Sequence, residues 1–97
     1  MVKFIWDEKK NHANLKKHGV DFNDAVRAWY DPDRLDFFDS EHGTDREARW
    51  IFLGAVAGAV LFVVETEPDI ETVRIISARR ASKHEQETYY ANSGKNT

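Results

Sequence analysis

The sequence predicts an α+β domain made of two N-terminal helices, an antiparallel sheet of about four strands and a C-terminal helix. Two stretches near the N-terminus carry helix caps and helical spacing, and a central block is rich in aromatic and β-branched residues. A strong helix start follows the last apolar strand. Because short connections join the predicted strands, they should pair as a meander, with the helices packed mainly on one face.

The composition fits one domain. The chain has 97 residues, of which 41% are hydrophobic and 12% aromatic, and it has no cysteine. We therefore assign residues 1–92 to a single domain and predict that residues 93–97 form a flexible tail. The absence of cysteine excludes disulfides and thiolate metal sites. The first residues lack the apolar core of a signal peptide, and the apolar run 51–64 is too short to span a bilayer, so we predict a cytoplasmic protein.

The charge is distributed unevenly along the chain. The net charge is −3, which argues against a uniformly basic nucleic-acid binder. Residues 35–72 carry two basic and nine acidic side chains, whereas residues 73–97 carry five basic and two acidic ones. The chain should therefore have a basic end on an acidic body, and should bind DNA poorly by itself.

Both N-terminal helices have clear start and stop signals. The first should run from an N-cap at Asp7 to about His18, with Gly19 just past its end. The second should start at Asp21 and end at Asp31-Pro32-Asp33.

The strand-like stretches are Leu35 to Asp39, Arg49 to Gly54, Ala59 to Glu65 and the run that begins at Val73. Gly54 and Gly58 bracket a predicted turn, and Thr66 to Glu71 form the next one. Ser40 to Glu47 should be a polar loop. Phe4, Ile5 and Trp6 are interpreted only as a short apolar lead-in.

The strand beginning at Val73 changes abruptly into a helix pattern. Simple alternation places Val73, Ile75, Ser77 and Arg79 on one face and Arg74, Ile76, Ala78 and Arg80 on the other. Ser82 then starts a capping box with Glu85. In the following helix, Glu85 and Tyr89 share a face, and Lys83 and His84 lie in the first turn near the two terminal arginines.

Residues that carry a family resemblance are spread over about residues 3 to 90. They are Trp6-Asp7, Asn14-x-x-Lys17-His18-Gly19-Val20-x-Phe22, Arg49 before Leu53-Gly54, and Arg74-Ile75-Ile76-Ser77-Ala78-Arg79 with Glu85 and Tyr89. Together they resemble the BrnT family of type II toxins. The resemblance implies a RelE-like ribonuclease that halts translation and is neutralised by a cognate antitoxin, BrnA. That antitoxin would be the DNA-binding partner, in a complex that represses its own promoter.

The same residues suit RNA cleavage without the resemblance. A metal-free cut needs a base for the 2′-OH, an acid for the leaving oxygen, and cations for the charge on the phosphate. The catalytic candidates are Arg79, Arg80, Lys17, His18, Glu85 and Tyr89. The candidates for substrate binding are Arg49, Arg74, Lys83 and His84. No metal site and no cofactor are predicted, because no spacing of His or acidic residues matches one.

Each main candidate also has a structural interpretation. Arg79 could serve only as an ion-pair partner of Glu85, and Glu85 only as the capping-box carboxylate. His18 could simply complement the helix end, Lys17 could be a solvated surface residue, and Tyr89 could belong to the core. The three tryptophans are assigned to the core.

Two function classes remain open. The leading hypothesis is an endoribonuclease toxin that uses metal-independent acid–base chemistry. The alternative is a non-catalytic nucleic-acid or protein-binding module, since phosphate binding by arginines is common to both. A metal-dependent nuclease is disfavoured because the predicted elements bring no carboxylates together.

Overall fold

Three helices and five strands make up the described part of the chain. The computed structural model describes residues 1–42 and 47–93, so residues 43–46 of the predicted polar loop and residues 94–97 of the predicted tail lie outside it. The elements are β1 (Lys3–Ile5), α1 (Glu8–His18), α2 (Phe22–Trp29), β2 (Leu35–Phe38), β3 (Ala48–Val56), β4 (Ala59–Asp69), β5 (Thr72–Arg80) and α3 (Lys83–Asn92).

The sheet is mixed, with the strand order β1-β5-β4-β3-β2. Strands β2 to β5 pair antiparallel, as the sequence predicts. The prediction of four strands misses β1, which pairs parallel with β5 through Lys3 opposite Thr72 and Ile5 opposite Arg74. Three residues carry too little periodicity to indicate a strand, and the partner strand lies almost seventy positions further along the chain. The α+β class is confirmed, but the sheet has five strands and one parallel pair.

The helices cover both faces of the sheet. Helices α1 and α2 share a core with one face, in which Phe22 and Ala28 pack with Phe52 of β3. Helix α3 belongs to a second cluster, in which Tyr89 packs with Leu53. Because adjacent strand residues point to opposite faces, α3 lies on the other side from α1 and α2. The prediction that all helices lie mainly on one face therefore holds only for the first two.

The hairpin between β3 and β4 turns at two residues, Ala57 and Gly58. Both have positive φ angles, of 50° and 79°. This is the backbone form that a tight two-residue hairpin requires. The predicted turn at 54–58 was too long, since Gly54 lies inside β3. The predicted turn at Thr66 to Glu71 was also too long, because β4 continues to Asp69.

Gly54 allows β3 to approach α2. A Cβ atom at this position would lie 2.4 Å from the carbonyl oxygen of Ala28. We expect Gly54→Ala to lower the free energy of unfolding by about 1–3 kcal/mol, because the strand or helix backbone must move. Thermal unfolding measures this change.

Ala57→Gly in the same hairpin is the matched control. It should be neutral or slightly stabilising, since Ala57 has a φ of 50°. An unchanged melting temperature for Gly54→Ala would contradict the close packing of β3 on α2.

Candidate functional site

Strand β5 contains one extra residue, Ile76. On β4, Val64 and Glu65 are consecutive, but they pair with Ser77 and Ile75. Ile76 therefore has no partner on β4, which is the arrangement of a β-bulge. A bulge reverses the alternation of side chains beyond it.

The bulge changes which arginines share a face. Ile75 and Ala78 both lie in the core with α1 and α2, although they are three residues apart. Arg74 and Arg79 consequently both point to the opposite face. The alternation that placed Arg74 and Arg79 on different faces was wrong, because it assumed a regular strand. Arg80 lies on the opposite face from Arg79, as predicted.

Residues from three strands lie on the face of the sheet away from α1 and α2. Arg49 pairs with Thr66, and Thr66 pairs with Arg74, so these three lie side by side. Phe62 lies on the same side of β4 as Thr66 and is opposite Arg79. We call this surface, formed by Arg49, Thr66, Arg74, Phe62 and Arg79, the open face.

Arg79 is held from two directions. Its guanidinium carbon lies 3.9 Å from the centroid of the Phe62 ring. Its Nη1 and Nη2 atoms donate to the two carboxylate oxygens of Glu85 at 2.8 and 2.9 Å. The side chain nevertheless keeps 37% of its surface exposed. Arg79 is therefore fixed in orientation and still accessible to an anion.

Glu85 links this arginine to the start of α3. Its carboxylate accepts from the Ser82 backbone N–H at 2.7 Å, and the Glu85 N–H donates to the Ser82 hydroxyl at 3.2 Å. The predicted capping box is thus confirmed. The hydrogen bonds from Arg79 lower the pKa of Glu85 to about 2. Burial acts in the opposite direction, and the hydrogen bond from the Ser82 N–H lowers the pKa further. Glu85 is a carboxylate at neutral pH with both oxygens occupied, so it is better suited to orienting Arg79 than to accepting a proton.

The other two arginines of the open face also contact carboxylates. Arg74 donates through Nη1 to both oxygens of Glu47, at 2.7 and 2.9 Å, and Thr66 donates to the same carboxylate. Arg49 is held more loosely, with Nε 3.6 Å from Oδ2 of Asp39. The arginines are therefore paired within the chain, and a phosphate would have to replace or share these partners.

A groove of about 240 Å³ runs between the end of α1 and the edge of β5. It is lined by Lys10, Ala13, Asn14, Lys17, His18, Ile76 and Ser77. Ser77 is two residues before Arg79, on the same side of β5. Lys17 and His18 are therefore placed at the edge of the open face, while Lys16 does not line this groove.

Three of the other candidates are not among the residues that form the open face. Arg80 is exposed and lines a depression with Gly19 and Asp24 on the side of α2. Lys83 and His84 are exposed in the first turn of α3. The structure does not bring Arg80 together with Arg79, and it leaves the two α3 residues at the margin.

Tyr89 lies inside the molecule. It is 4% exposed, and its hydroxyl donates to a carboxylate oxygen of Asp31. The same oxygen accepts from the Ala55 N–H at 2.7 Å. Burial, and then the bond to Asp31, raises the pKa of Tyr89 above its usual value. Tyr89 connects α3 to the loop after α2 rather than facing the open face.

Asn14 has a structural role that was not predicted from the sequence. This side chain is buried, and its amide donates to the Ala78 carbonyl at 2.7 Å and accepts from the Ala78 N–H at 3.1 Å. It also donates to the Val20 carbonyl at 2.9 Å. Asn14 therefore pairs with β5 as a neighbouring strand would, at the residue before Arg79. The available signal in the sequence was that Asn11, Asn14 and His18 fall at i, i+3 and i+7, on one polar stripe of the predicted helix.

Neither a metal cluster nor a membrane-spanning helix occurs in residues 1–42 and 47–93. No group of three His, Cys, Asp or Glu side chains there is arranged to hold a metal ion. The helices in the same residues are too short or too polar to cross a bilayer.

Comparison with known proteins finds a similar family and a similar structure. The family model described as ribonuclease toxin, BrnT, of type II toxin–antitoxin system matches residues 6–85. A 1.1 Å crystal structure of the Brucella abortus ribonuclease toxin BrnT is similar, with a TM-score of 0.68 and 28% sequence identity. The similarity covers 86% of this chain and 100% of that one. A comparison with curated proteins finds no match.

Proposed function

Because the chain belongs to the BrnT family of ribonuclease toxins of type II toxin–antitoxin systems, we propose that it is a metal-independent endoribonuclease. It would cleave RNA and inhibit translation in the cytoplasm, as a RelE-like enzyme. The main support is the open face, where Arg49, Arg74 and Arg79 lie on one side of the sheet with partly exposed side chains. Guanidinium groups in such an arrangement suit the phosphates of a nucleic-acid strand.

Arg79 is proposed to bind the phosphate that is cleaved. The attack of a 2′-OH on the adjacent phosphorus places extra negative charge on the phosphate oxygens. Arg79 can meet that charge without reorganising, because Phe62 and Glu85 already fix its guanidinium. The 5′-oxygen leaves, so the products would carry 2′,3′-cyclic phosphate and 5′-OH ends.

Lys17 and His18 are proposed to move the protons. They line the groove beside Ser77, at the edge of the face that carries Arg79. A histidine can accept the 2′-OH proton or protonate the leaving oxygen near neutral pH. Glu85 would hold Arg79 in place, and Tyr89 would support α3 through Asp31.

The remaining basic residues are proposed to bind the rest of the RNA strand. Arg49 and Arg74 continue the open face away from Arg79. Lys83 and His84 are exposed beside Glu85 at the start of α3, where they can contact phosphates outside the cleaved bond. Arg80 lies on the other face, so we expect a smaller contribution from it.

The proposed protein partner is a cognate BrnA-like antitoxin. It would cover the open face and supply the DNA-binding function of the complex. With a net charge of −3, the toxin chain alone is expected to bind DNA poorly. Tight operator binding by the isolated chain would contradict this division of roles.

Cleavage of a defined RNA by the purified chain should be unchanged when EDTA is added. The physical reason is that the proposed charge stabilisation comes from Arg79 and the proton transfer from side chains. Analysis of the product ends should show 2′,3′-cyclic phosphate and 5′-OH. Loss of cleavage in EDTA that magnesium or manganese restores would refute the mechanism.

A non-catalytic binding module remains the second candidate, because each arginine of the open face already has a carboxylate partner. Incubating the purified chain with a defined RNA distinguishes the endoribonuclease from the binding module, because a binding module would bind the RNA and leave it intact.

A further inference from the structure

A further pocket lies on the opposite side of the sheet from the open face, beyond the end of α2. Its volume is about 110 Å³, and it is lined by Trp29, Arg34, Asp36, Trp50, Glu65 and Glu67. We call it the acidic pocket. Three of its six residues are acidic and two are tryptophans, and it has no part in the proposed RNA chemistry.

Glu65 gives this pocket its unusual character. Glu65 is only 2% exposed, and its Oε2 atom has no hydrogen-bond partner among the described residues. Nearly every buried carboxylate oxygen in a folded protein accepts a hydrogen bond, because burial without one costs free energy. Because Glu65 also lines the pocket, a donor that enters the pocket can reach this oxygen.

The pocket has more carboxylates than cations. Arg34 lies 4.2 Å from the Trp29 ring centroid and places its Nε 3.0 Å from Asp36. Arg34 pairs with Asp36 and also lies close enough to Glu65 and Glu67 to act on both, so one guanidinium faces three acidic side chains. Towards β3 and β5, the neighbours of Glu65 are Trp50 and Ile75, which carry no charge. When Glu65 is ionised, the described lining therefore favours one additional positive charge.

We propose that the acidic pocket binds an arginine side chain from a protein partner. A guanidinium is flat and has several donors, so it can stack on Trp50 while donating to Glu65 and Glu67. RNA is an unsuitable occupant, since its phosphates would meet carboxylates. The adjoining strand β2 is at the edge of the sheet, and its Phe38, which packs against Trp50, is 59% exposed. A partner segment running along β2 would cover this ring and reach the pocket with one side chain.

Binding should become tighter as the pH rises. Burial, followed by the charges of Glu67 and Asp36, raises the pKa of Glu65 to about 8, while Arg34 opposes this shift. A guanidinium binds the ionised carboxylate more strongly, so binding must release a proton below that pH. We expect a weaker interaction at about pH 6.5 than at about pH 8.5.

Nuclear magnetic resonance of the full-length ¹⁵N-labelled chain tests the proposal. The probe is Nα-acetyl-arginine amide, and its neutral analogue Nα-acetyl-citrulline amide is the matched control. The arginine probe should shift the indole N–H signals of Trp29 and Trp50 saturably, and the citrulline probe should not. Trp6, whose indole donates to Glu8, is not part of the pocket and should stay unchanged.

Two variants locate the binding charge. Glu65→Gln should weaken binding of the arginine probe by about tenfold and remove its pH dependence. Glu71→Gln, which changes an exposed acid outside the pocket, should have no effect. If Glu65→Gln does not fold, Glu67→Gln should give a similar loss. Equal shifts with both probes, no arginine-specific shift, or unchanged affinity in the pocket variants would overturn the proposal.

Discussion

Arg79→Ala should reduce RNA cleavage by about 30- to 1,000-fold in a protein that still folds. The guanidinium is oriented by Phe62 and Glu85 before any substrate arrives, so its removal takes away a preorganised positive charge. Arg79→Lys should also fall short of the parent, because an ammonium keeps the charge but loses the planar fork. Single-turnover cleavage of a defined RNA measures both variants.

Lys16→Ala is the matched control for Arg79→Ala. Lys16 is exposed in the last turn of α1 and does not line the groove that contains Lys17 and His18. Its removal should leave cleavage near the parent level. Thermal melting must show that Arg79→Ala is folded, since the ion pair with Glu85 also joins β5 to α3. Normal cleavage by folded Arg79→Ala, with a loss in Lys16→Ala, would move the active site to the first helix.

Local signals in the sequence predicted the helices well. Asp7, Asp21 and Ser82 all cap helices as expected, and Gly19 ends α1 with a φ of 71°. Such signals work because a cap depends on residues within one turn. The parallel pairing of β1 with β5 depends on residues almost seventy positions apart, and no local pattern contains it.

The candidate site was also predicted only in part, because several of its contacts join residues that are far apart in the sequence. The ion pair between Arg79 and Glu85 joins residues six positions apart, and the sequence indicated it. The sharing of one face by Arg74 and Arg79 results from the bulge at Ile76, which is defined by pairing with β4. The burial of Tyr89 depends on Asp31, which is 58 positions away. Contacts between distant elements decide which of the predicted residues meet.

Asn14→Ala should lower the free energy of unfolding by about 2–4 kcal/mol. Strand β1 pairs with β5 only as far as Arg74, so the amide of Asn14 satisfies both backbone groups of Ala78 at the exposed edge. Alanine would leave these two groups and the Val20 carbonyl without their partner. The expected fall in melting temperature is roughly 10–25 °C. Because Arg79 follows Ala78, cleavage should weaken even below the melting temperature.

Asn23→Ala separates this effect from the general loss of an asparagine. Asn23 is exposed in α2, and among residues 1–42 and 47–93 its side chain bonds only to Asp21, so its removal should change stability by about 0.5 kcal/mol or less. Asn14→Asp is the sharper variant, because a carboxylate can still accept from the Ala78 N–H but repels the two carbonyl oxygens. At neutral pH, Asn14→Asp should destabilise the chain at least as much as Asn14→Ala does. At acidic pH the new carboxylate is protonated, and the destabilisation should be smaller. If both Asn14 variants melted like Asn23→Ala, the side chain would not be acting as a substitute strand for β5.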